Sequence, residues 1–398
     1  MTYFVTLDDK SECIGVYKDG ELHFDSFPTD LSRTWAPTPS LASISAQDAE
    51  FAFFYCNGAS PEDVCPPELL EDWKTITKKV RAHQRSYQTA KIHMPDHCRF
   101  DLLPIHDLSE LCYLRTEIIK NVFKTHEKPE NYDFMKDLYT LLQSMSEQKI
   151  NVNLRVLEGK RENKKARDLI KFLNSHEPRV IYDAFKTKTG RLSVKKGSFP
   201  ILTLNKEFRS AIEPTNDWIL ELDYNAAELR TLLALAGKDQ PSEDIHQWNS
   251  GILGVSRDEA KKSVISWLYG SKTSDIGKKL SEIYAREEVL SKHYDPETRI
   301  VTTPFGRKLK ATDHHAMNYL VQSTTADLVF DRMIALQEFL KDKKSFIKFC
   351  LHDSVVIDLS KEDKADVDQI LDIFANTRLA RFVSNVGLGK NFGDLLKK

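Results

Sequence analysis

Two carboxylates stand where a chain could hold a divalent cation. Asp223 closes the run Trp218-Ile-Leu-Glu-Leu-Asp, whose Ile219, Leu220 and Leu222 predict a strand, and a helix is predicted from near Ala226 to a stop at Gly237. An acid at a strand end is held rigidly at the mouth of a cleft, which suits a metal ion; the same position equally suits an Asp that only caps the helix. Asp353 lies in Phe346-Ile-Lys-Phe-Cys-Leu-His-Asp-Ser-Val-Val-Ile-Asp-Leu359, two strand-like runs joined at His352-Asp353-Ser354. That pattern predicts a tight hairpin whose apolar arms present polar groups, though turn chemistry alone also places His and Asp there. Between the two acids, Ser256 and Glu259 form a capping box and Gly270 a C-cap, delimiting one helix. Arg257, Lys261, Ile265 and Tyr269 recur every four residues and share one of its faces. Two cations one turn apart would clamp a triphosphate, and Tyr269 at the far end could stack on a base. A charged surface helix with one aromatic packed inside has the same spacing. Two carboxylates, a cationic helix and a basic approach are together what two-metal phosphoryl transfer on nucleic acid requires. One ion lowers the pKa of a 3′-hydroxyl and the other neutralises the leaving pyrophosphate, with Asp223 and Asp353 flanking both.

The chain that must position these groups has 398 residues, a length suited to two or three domains. With 41% hydrophobic, 29% charged and 10% aromatic residues, it has the composition of a soluble globular protein and not of a disordered, collagenous or membrane-embedded one. The six cysteines (Cys13, Cys56, Cys65, Cys98, Cys112 and Cys350) form no C-x-x-C pair and no zinc-like spacing. A reducing compartment without a disulfide framework is therefore expected. The start lacks a basic region followed by a long apolar run, and no apolar run of about 18 residues occurs elsewhere, so a cytoplasmic protein without membrane contact is expected. The formal charge of −2 hides an asymmetry. Residues 149–209 carry 16 Lys and Arg against six acids, a net +10, which leaves −12 for the remainder. This stretch suits either a phosphate-backbone contact zone or a solvated helical surface laced by i,i+4 charge pairs.

Along the chain, alternation around Asp19-Gly20 predicts a hairpin from Ile14 to Phe24, and Phe51-Ala-Phe-Phe-Tyr-Cys predicts a buried strand. Helical periodicity follows at 68–85, 107–125 and 132–145, the last carrying Phe134, Leu138, Leu141, Leu142 and Met145. Pro95, Pro104 and Pro129 punctuate a domain boundary between 105 and 130. There is no internal repeat.

These residues resemble the family A DNA polymerases, the bacterial DNA polymerase I group and its phage relatives, from about Leu138 to the C-terminus. Asp223-Tyr-Asn-Ala-Ala-Glu-Leu-Arg230 is similar to the first catalytic motif, D-Y-S-Q-I-E-L-R, and Phe208-Arg-Ser-Ala-Ile-Glu-Pro to the strand that approaches it. Arg257, Lys261, Tyr269 and Gly270 match the fingers-helix pattern R-x-x-x-K…Y-G, and His352-Asp353 matches the H-D of the last motif. Supporting matches are Thr189-Gly-Arg-Leu-Ser193, Asp244-Ile-His246, Gly306-Arg307, Asn318 with Gln322, Thr324-Thr-Ala-Asp327 and Gly387-Leu-Gly-Lys-Asn-Phe392. Three positions depart from the pattern. Ile265 replaces a Phe or Tyr, Ser354 replaces the final acid after His-Asp, and His314 replaces an Arg.

The resemblance implies an α/β (α+β) right-hand polymerase fold: a palm with an antiparallel sheet, helical fingers, a reduced helical thumb and a small α+β N-terminal domain. The expected divisions are 1–115 for a degenerate exonuclease-like or unrelated domain, 116–188 for a helical linker and shortened thumb, 189–237 and 305–398 for the palm, and 238–304 for the fingers. It implies two Mg2+ ions, replaceable by Mn2+, on Asp223, Asp353 and the backbone carbonyl of Tyr224. The incoming dNTP would meet His246, Arg257, Lys261, Glu228, Tyr269 and Ile265, with Glu228 filling the space of a ribose 2′-hydroxyl. Primer-template DNA would meet Arg191, Arg307, Asn318, Gln322 and His352. The implied activity is template- and primer-dependent DNA synthesis, as in DNA replication, by a compact phage- or mobile-element-like enzyme. With a short thumb it is expected to be distributive unless a processivity factor or another replication protein clamps it. Asp8-Asp-Lys-Ser-Glu12 has the wrong spacing for an exonuclease Asp-x-Glu, so no 3′–5′ proofreading is expected. Ser354 and Lys261-Lys-Ser-Val-Ile-Ser-Trp-Leu-Tyr-Gly-Ser271 are also similar to the single-subunit phage-type RNA polymerases, which leaves an RNA polymerase or primase-like nucleotidyltransferase as the second reading and nucleic-acid binding without catalysis as the third.

Overall fold

The computed structural model describes the chain except residues 8–14, 39–40, 42–43, 45–47, 93–96, 270–274 and 398. It divides into two compact units, Met1–Tyr132 and Asp133–Lys398. The division falls later than the expected boundary at 115, because the helix Ile105–Thr125 belongs whole to the first unit.

In the first unit, Val16–Lys18 and Glu21–His23 pair antiparallel around Asp19 and Gly20, both at positive φ. Positive φ at both central residues matches the twist of the flanking strands, so the hairpin read from Asp-Gly forms; its predicted start at Ile14 lies outside the described residues. The strand expected at 51–56 does not form. Only Glu50–Phe51 is extended, and Ala52–Tyr55 turns into a helix whose Ala52 and Phe54 enter the core. Ring packing of Phe54 and Tyr55 edge-on to Tyr132 supplies tertiary contacts that outweigh local strand preference. Helices Leu70–Thr89 and Ile105–Thr125 pack together, closing a core of Trp35, Trp73, Ile76, Leu108, Ile118 and Val122. Cys56, Cys65, Cys112 and Cys350 are free, but Cys98 is disulfide-bonded, which departs from the expectation of a chain without disulfides.

The second unit is built on a five-stranded antiparallel sheet. From Trp218 onward we number its strands β1 (Trp218–Tyr224), β2 (Phe346–Leu351), β3 (Ser354–Leu359), β4 (Ser384–Gly389) and β5 (Leu396–Lys397), in the order β2-β3-β1-β4-β5. The helices are α1 (Ala227–Leu235), α2 (Ile245–Leu253), α3 (Arg257–Leu268), α4 (Asp275–Ile283), α5 (Arg286–His293), α6 (Ala316–Leu340) and α7 (Val367–Ala375). Period-2 alternation sends Leu220, Leu222 and Tyr224 to one face of β1 and Ile219, Glu221 and Asp223 to the other. On the first face Tyr224 stacks on Phe374 of α7 at 4.1 Å and donates to its carbonyl. Helix α6 is buried nearly all round, which its mixed apolar sequence requires. A second apolar cluster joins Leu229, Leu232 and Leu233 of α1 to Ile245, Val264, Trp267, Tyr284 and Met317, so α1 to α6 share one core beside the sheet. No helix among the described residues is long and apolar enough to cross a membrane.

Candidate active site

The first candidate position is set by a strand end. Asp223 is the penultimate residue of β1, paired with Ser354 on one side and Asn385 on the other. The N-cap of α1 is Ala226, in left-handed backbone and without a side-chain cap. Asp223 is thus not the helix cap. The Asn385 amide lies 3.4 Å from an Asp223 oxygen. Tyr224 turns its side chain to the opposite face, leaving only its backbone at this strand end.

Asp353 sits in the two-residue turn between β2 and β3, where His352 takes φ +60°. The register of the hairpin, with Leu351 opposite Ser354, brings this turn beside the end of β1. Burial pushes the Asp353 carboxyl up to about 6, and the charges of Asp223 and Glu228 add to the rise. Two carboxylates that repel across a strand boundary form a donor set whose cost a divalent cation would relieve, so the residues present fit such a group.

A cavity of about 300 Å³ opens beside this pair. Arg191, Glu228, His246, Ile265, Tyr269, His352 and Asp353, seven of the residues singled out from sequence, line it. Helix α3 forms as predicted, with a reciprocal capping box between Ser256 and Glu259; its expected C-cap, Gly270, lies outside the described residues. Ala260, Val264, Trp267 and Leu268 face the core, while Arg257, Lys261, Ile265 and Tyr269 are exposed along one stripe. Ile265 and Tyr269 keep 44% and 46% of their surface open at the cavity wall, apolar area that a flat partner could cover.

Polar groups around the cavity are already linked. Glu228 pairs with Arg191 and accepts from the Tyr269 hydroxyl at 3.4 Å, and Gln322 of α6 donates to that hydroxyl at 3.2 Å. Burial raises the Glu228 pKa, against the pull of Arg191 and Tyr269. Burial lowers His246, helped by Lys261 and Arg257, and its Nδ1 is buried without a partner. Burial also lowers His352, with Arg191 and Arg209 adding to the effect. Asn318 carries a buried, unpartnered Oδ1.

Arg257 differs from expectation in its partner. Its guanidinium grips Asp244 through two bonds of 3.0 Å, and Asp244 also caps α2 at the Gln247 amide. Burial opposes ionisation of Asp244, but bonds from Arg257, Asn225 and Gln247 hold its pKa well below the usual carboxylate range. Lys261 stands exposed one turn on.

Arg307 is a correction. Expected at DNA, it is buried and paired twice with Asp327 of α6, at 3.1 and 2.6 Å. Gly190, at φ +74°, lies against it so closely that a Cβ there would fall 2.7 Å from the Arg307 Cζ. Its charge is consumed inside the fold.

Sequence reading missed the supports of the site. Arg230, fully buried, bonds Asn225, Pro241 and Glu243, and Asn225 in turn bonds Asp244 and the Ile245 amide. This network ties the β1–α1 turn to the start of α2 and so places His246. Glu221, two residues before Asp223 on the same face, accepts from Ser354 at 3.3 Å. Its signal was available: a glutamate inside a strand, in phase with the acid at its end. Among the described residues, one other group that could hold a cation, His106 with Asp107 and Glu110, lies in the first unit. Asp107 there already faces Lys79 and His83, at 3.4 and 3.3 Å.

No family model matches the chain. It is similar to a thermostable DNA polymerase I of Thermus aquaticus, 27% identical over 226 residues that take up 44% of this chain and 27% of the relative. It is likewise similar to a DNA polymerase of Mycobacterium phage L5, 24% identical over 213 residues, 44% of this chain and 34% of the relative. The chain thus spans about a third or less of the length of these relatives. Among solved structures, the polymerase domain of Pol1 from M. smegmatis, determined with a DNA primer-template and dNTP, aligns with a TM-score of 0.56. That match has 13% identity and covers 73% of this chain and 76% of the other, so the two share the polymerase fold. Sequence similarity to DNA polymerases and a shared polymerase fold agree with the resemblance to the family A DNA polymerases that the motifs carry.

Proposed function

We propose that this chain is a template- and primer-dependent DNA polymerase that adds dNTPs to a 3′-hydroxyl, without 3′–5′ proofreading. The observation that carries the reading is the convergence of Arg191, Glu228, His246, Tyr269, His352 and Asp353, from five separate stretches of sequence, on one cavity beside Asp223. Asp223, Asp353 and the Tyr224 carbonyl would hold two divalent cations, magnesium or manganese. When bound, these would acidify the 3′-hydroxyl and neutralise the leaving pyrophosphate.

The remaining work belongs to the protein's own groups. Lys261 and Arg257 bind the triphosphate from one helix face, Arg257 exchanging Asp244 for phosphate oxygens. His246, kept neutral by burial, donates or accepts one hydrogen bond at the same end. Ile265 and Tyr269 cover the base and sugar with apolar surface. Glu228, fixed by Arg191 and Tyr269, occupies the place of a 2′-hydroxyl and so favours deoxynucleotides. Asn318, Gln322, Arg191 and His352 face the primer-template, and the basic stretch 149–209 attracts its backbone.

Primer extension with magnesium tests this, comparing dNTPs with NTPs and wild type with Asp223→Ala and Asp353→Ala. Extension with dNTPs, abolished by each substitution, is the expected result. Extension chiefly with NTPs would transfer the chain to the RNA-polymerase reading, which Ser354 favours. Release of mismatched 3′ nucleotides by the purified chain would overturn the absence of proofreading.

A further inference from the structure

The family pattern has an acid directly after His-Asp, and here that position is Ser354. We propose that Glu221 restores the missing charge from the neighbouring strand, acting through the Ser354 hydroxyl, so that the metal site keeps three carboxylates in a new arrangement. The inference rests on the reading of Asp223 and Asp353 as a divalent-cation site.

The register of the sheet supports it. β1 and β3 run antiparallel with Asp223 opposite Ser354 and Glu221 opposite Val356. Residues two apart on a strand share a face, so Glu221, Asp223 and Ser354 lie on one side of the sheet. The Ser354 hydroxyl donates to a Glu221 oxygen at 3.3 Å. On the other flank Glu221 faces Gly387, which brings no side chain into the lane, while Asp223 faces Asn385. Glu221 is 7% exposed and Ser354 4%, in the interior of the sheet. A serine that donates its proton to a carboxylate turns its oxygen lone pairs, with added negative character, toward whatever lies on its other side. Ser354 follows Asp353 directly. Glu221 is therefore a positioning residue: it orients Ser354 and adds negative potential under the cation site. The acid thus stands on β1, beside the strand that begins with Ser354.

Mn2+ binding to the metal-free full chain, followed by the paramagnetic signal of the free ion with no DNA or nucleotide present, tests the proposal independently of activity. Glu221→Gln keeps the shape and removes the charge. We expect it to weaken Mn2+ binding by about tenfold, the lower end of what outer partners of metal ligands contribute. Ser354→Ala should weaken binding in the same direction, and Ser354→Glu placed on Glu221→Gln should restore it. Wild-type affinity in Glu221→Gln, with binding lost in Asp223→Ala, would overturn the role of Glu221 and leave the metal site standing. Wild-type affinity in both would overturn the metal site itself. Should Glu221→Gln fail to fold, Ser354→Ala reads the same coupling, and unchanged affinity there overturns it.

Discussion

At Asp353 the chemistry of the site and the stability of the fold oppose each other. Its pKa rises from the ordinary 3.8 to about 6 in the folded chain, by burial first and by Asp223 next. The folded state therefore holds this proton more tightly than the unfolded state. Stability from the protonated group is fully present below pH 3.8 and is lost as pH rises through about 6. Without divalent cations, Asp353→Asn should stabilise the protein at pH 8 by on the order of 2 kcal/mol, and by less at pH 5. Urea unfolding at the two pH values measures this. A variant that is less stable than wild type at pH 8 would count against repulsion between Asp353 and Asp223. The converse case is Asp244, whose carboxylate is stabilised by Arg257, Asn225 and the helix amide.

Elements, not isolated residues, decide which charges reach the cleft. Helix α3 leaves Arg257 and Lys261 outside because its opposite face, with Val264 and Trp267, has a core to enter. Arg307 follows Gly306 at φ +75° and stands opposite α6, where Asp327 is fully buried. Burial raises the Asp327 carboxyl, and only Arg307 offsets this, so removal of the arginine strands an acid in the interior. Arg307→Ala should cost about 3–5 kcal/mol of stability, read by denaturant unfolding. The salt dependence of DNA binding should keep its slope, since a phosphate contact would contribute about one unit to it. A reduced slope with unchanged stability would return Arg307 to the DNA.

For the whole molecule, the segment between Leu138 and Thr189 is short. It begins inside the helix Tyr132–Glu147 and contains the helices Leu154–Glu158 and Lys164–Leu173, both placed in the basic stretch. Lys149 and Arg179 already pair with Glu177, and Arg161 with Glu158, so part of the +10 charge is spent on local pairs. A small grip whose attraction is mostly electrostatic releases DNA readily and weakens further with salt. Single-encounter primer extension with excess trap DNA should give short products, shortening again between 50 and 200 mM salt. Hundreds of nucleotides added per encounter by the lone chain would refute the distributive reading.

By itself the sequence determined the local grammar of the site. The alternation that ends at Asp223, the hairpin that turns at His352-Asp353 and the capping box of α3 all formed, because each is enforced by side-chain periodicity and turn chemistry within a few residues. The tertiary structure decided what depends on partners distant in the chain. It turned Ala52–Tyr55, expected as strand, into a helix through contacts with Tyr132, and it withdrew Arg307 from solvent by setting Asp327 opposite it. It gave Arg257 to Asp244 and placed Glu221 under Ser354. A motif names a residue's type and spacing, whereas burial and pairing are properties of the neighbours that folding brings to it.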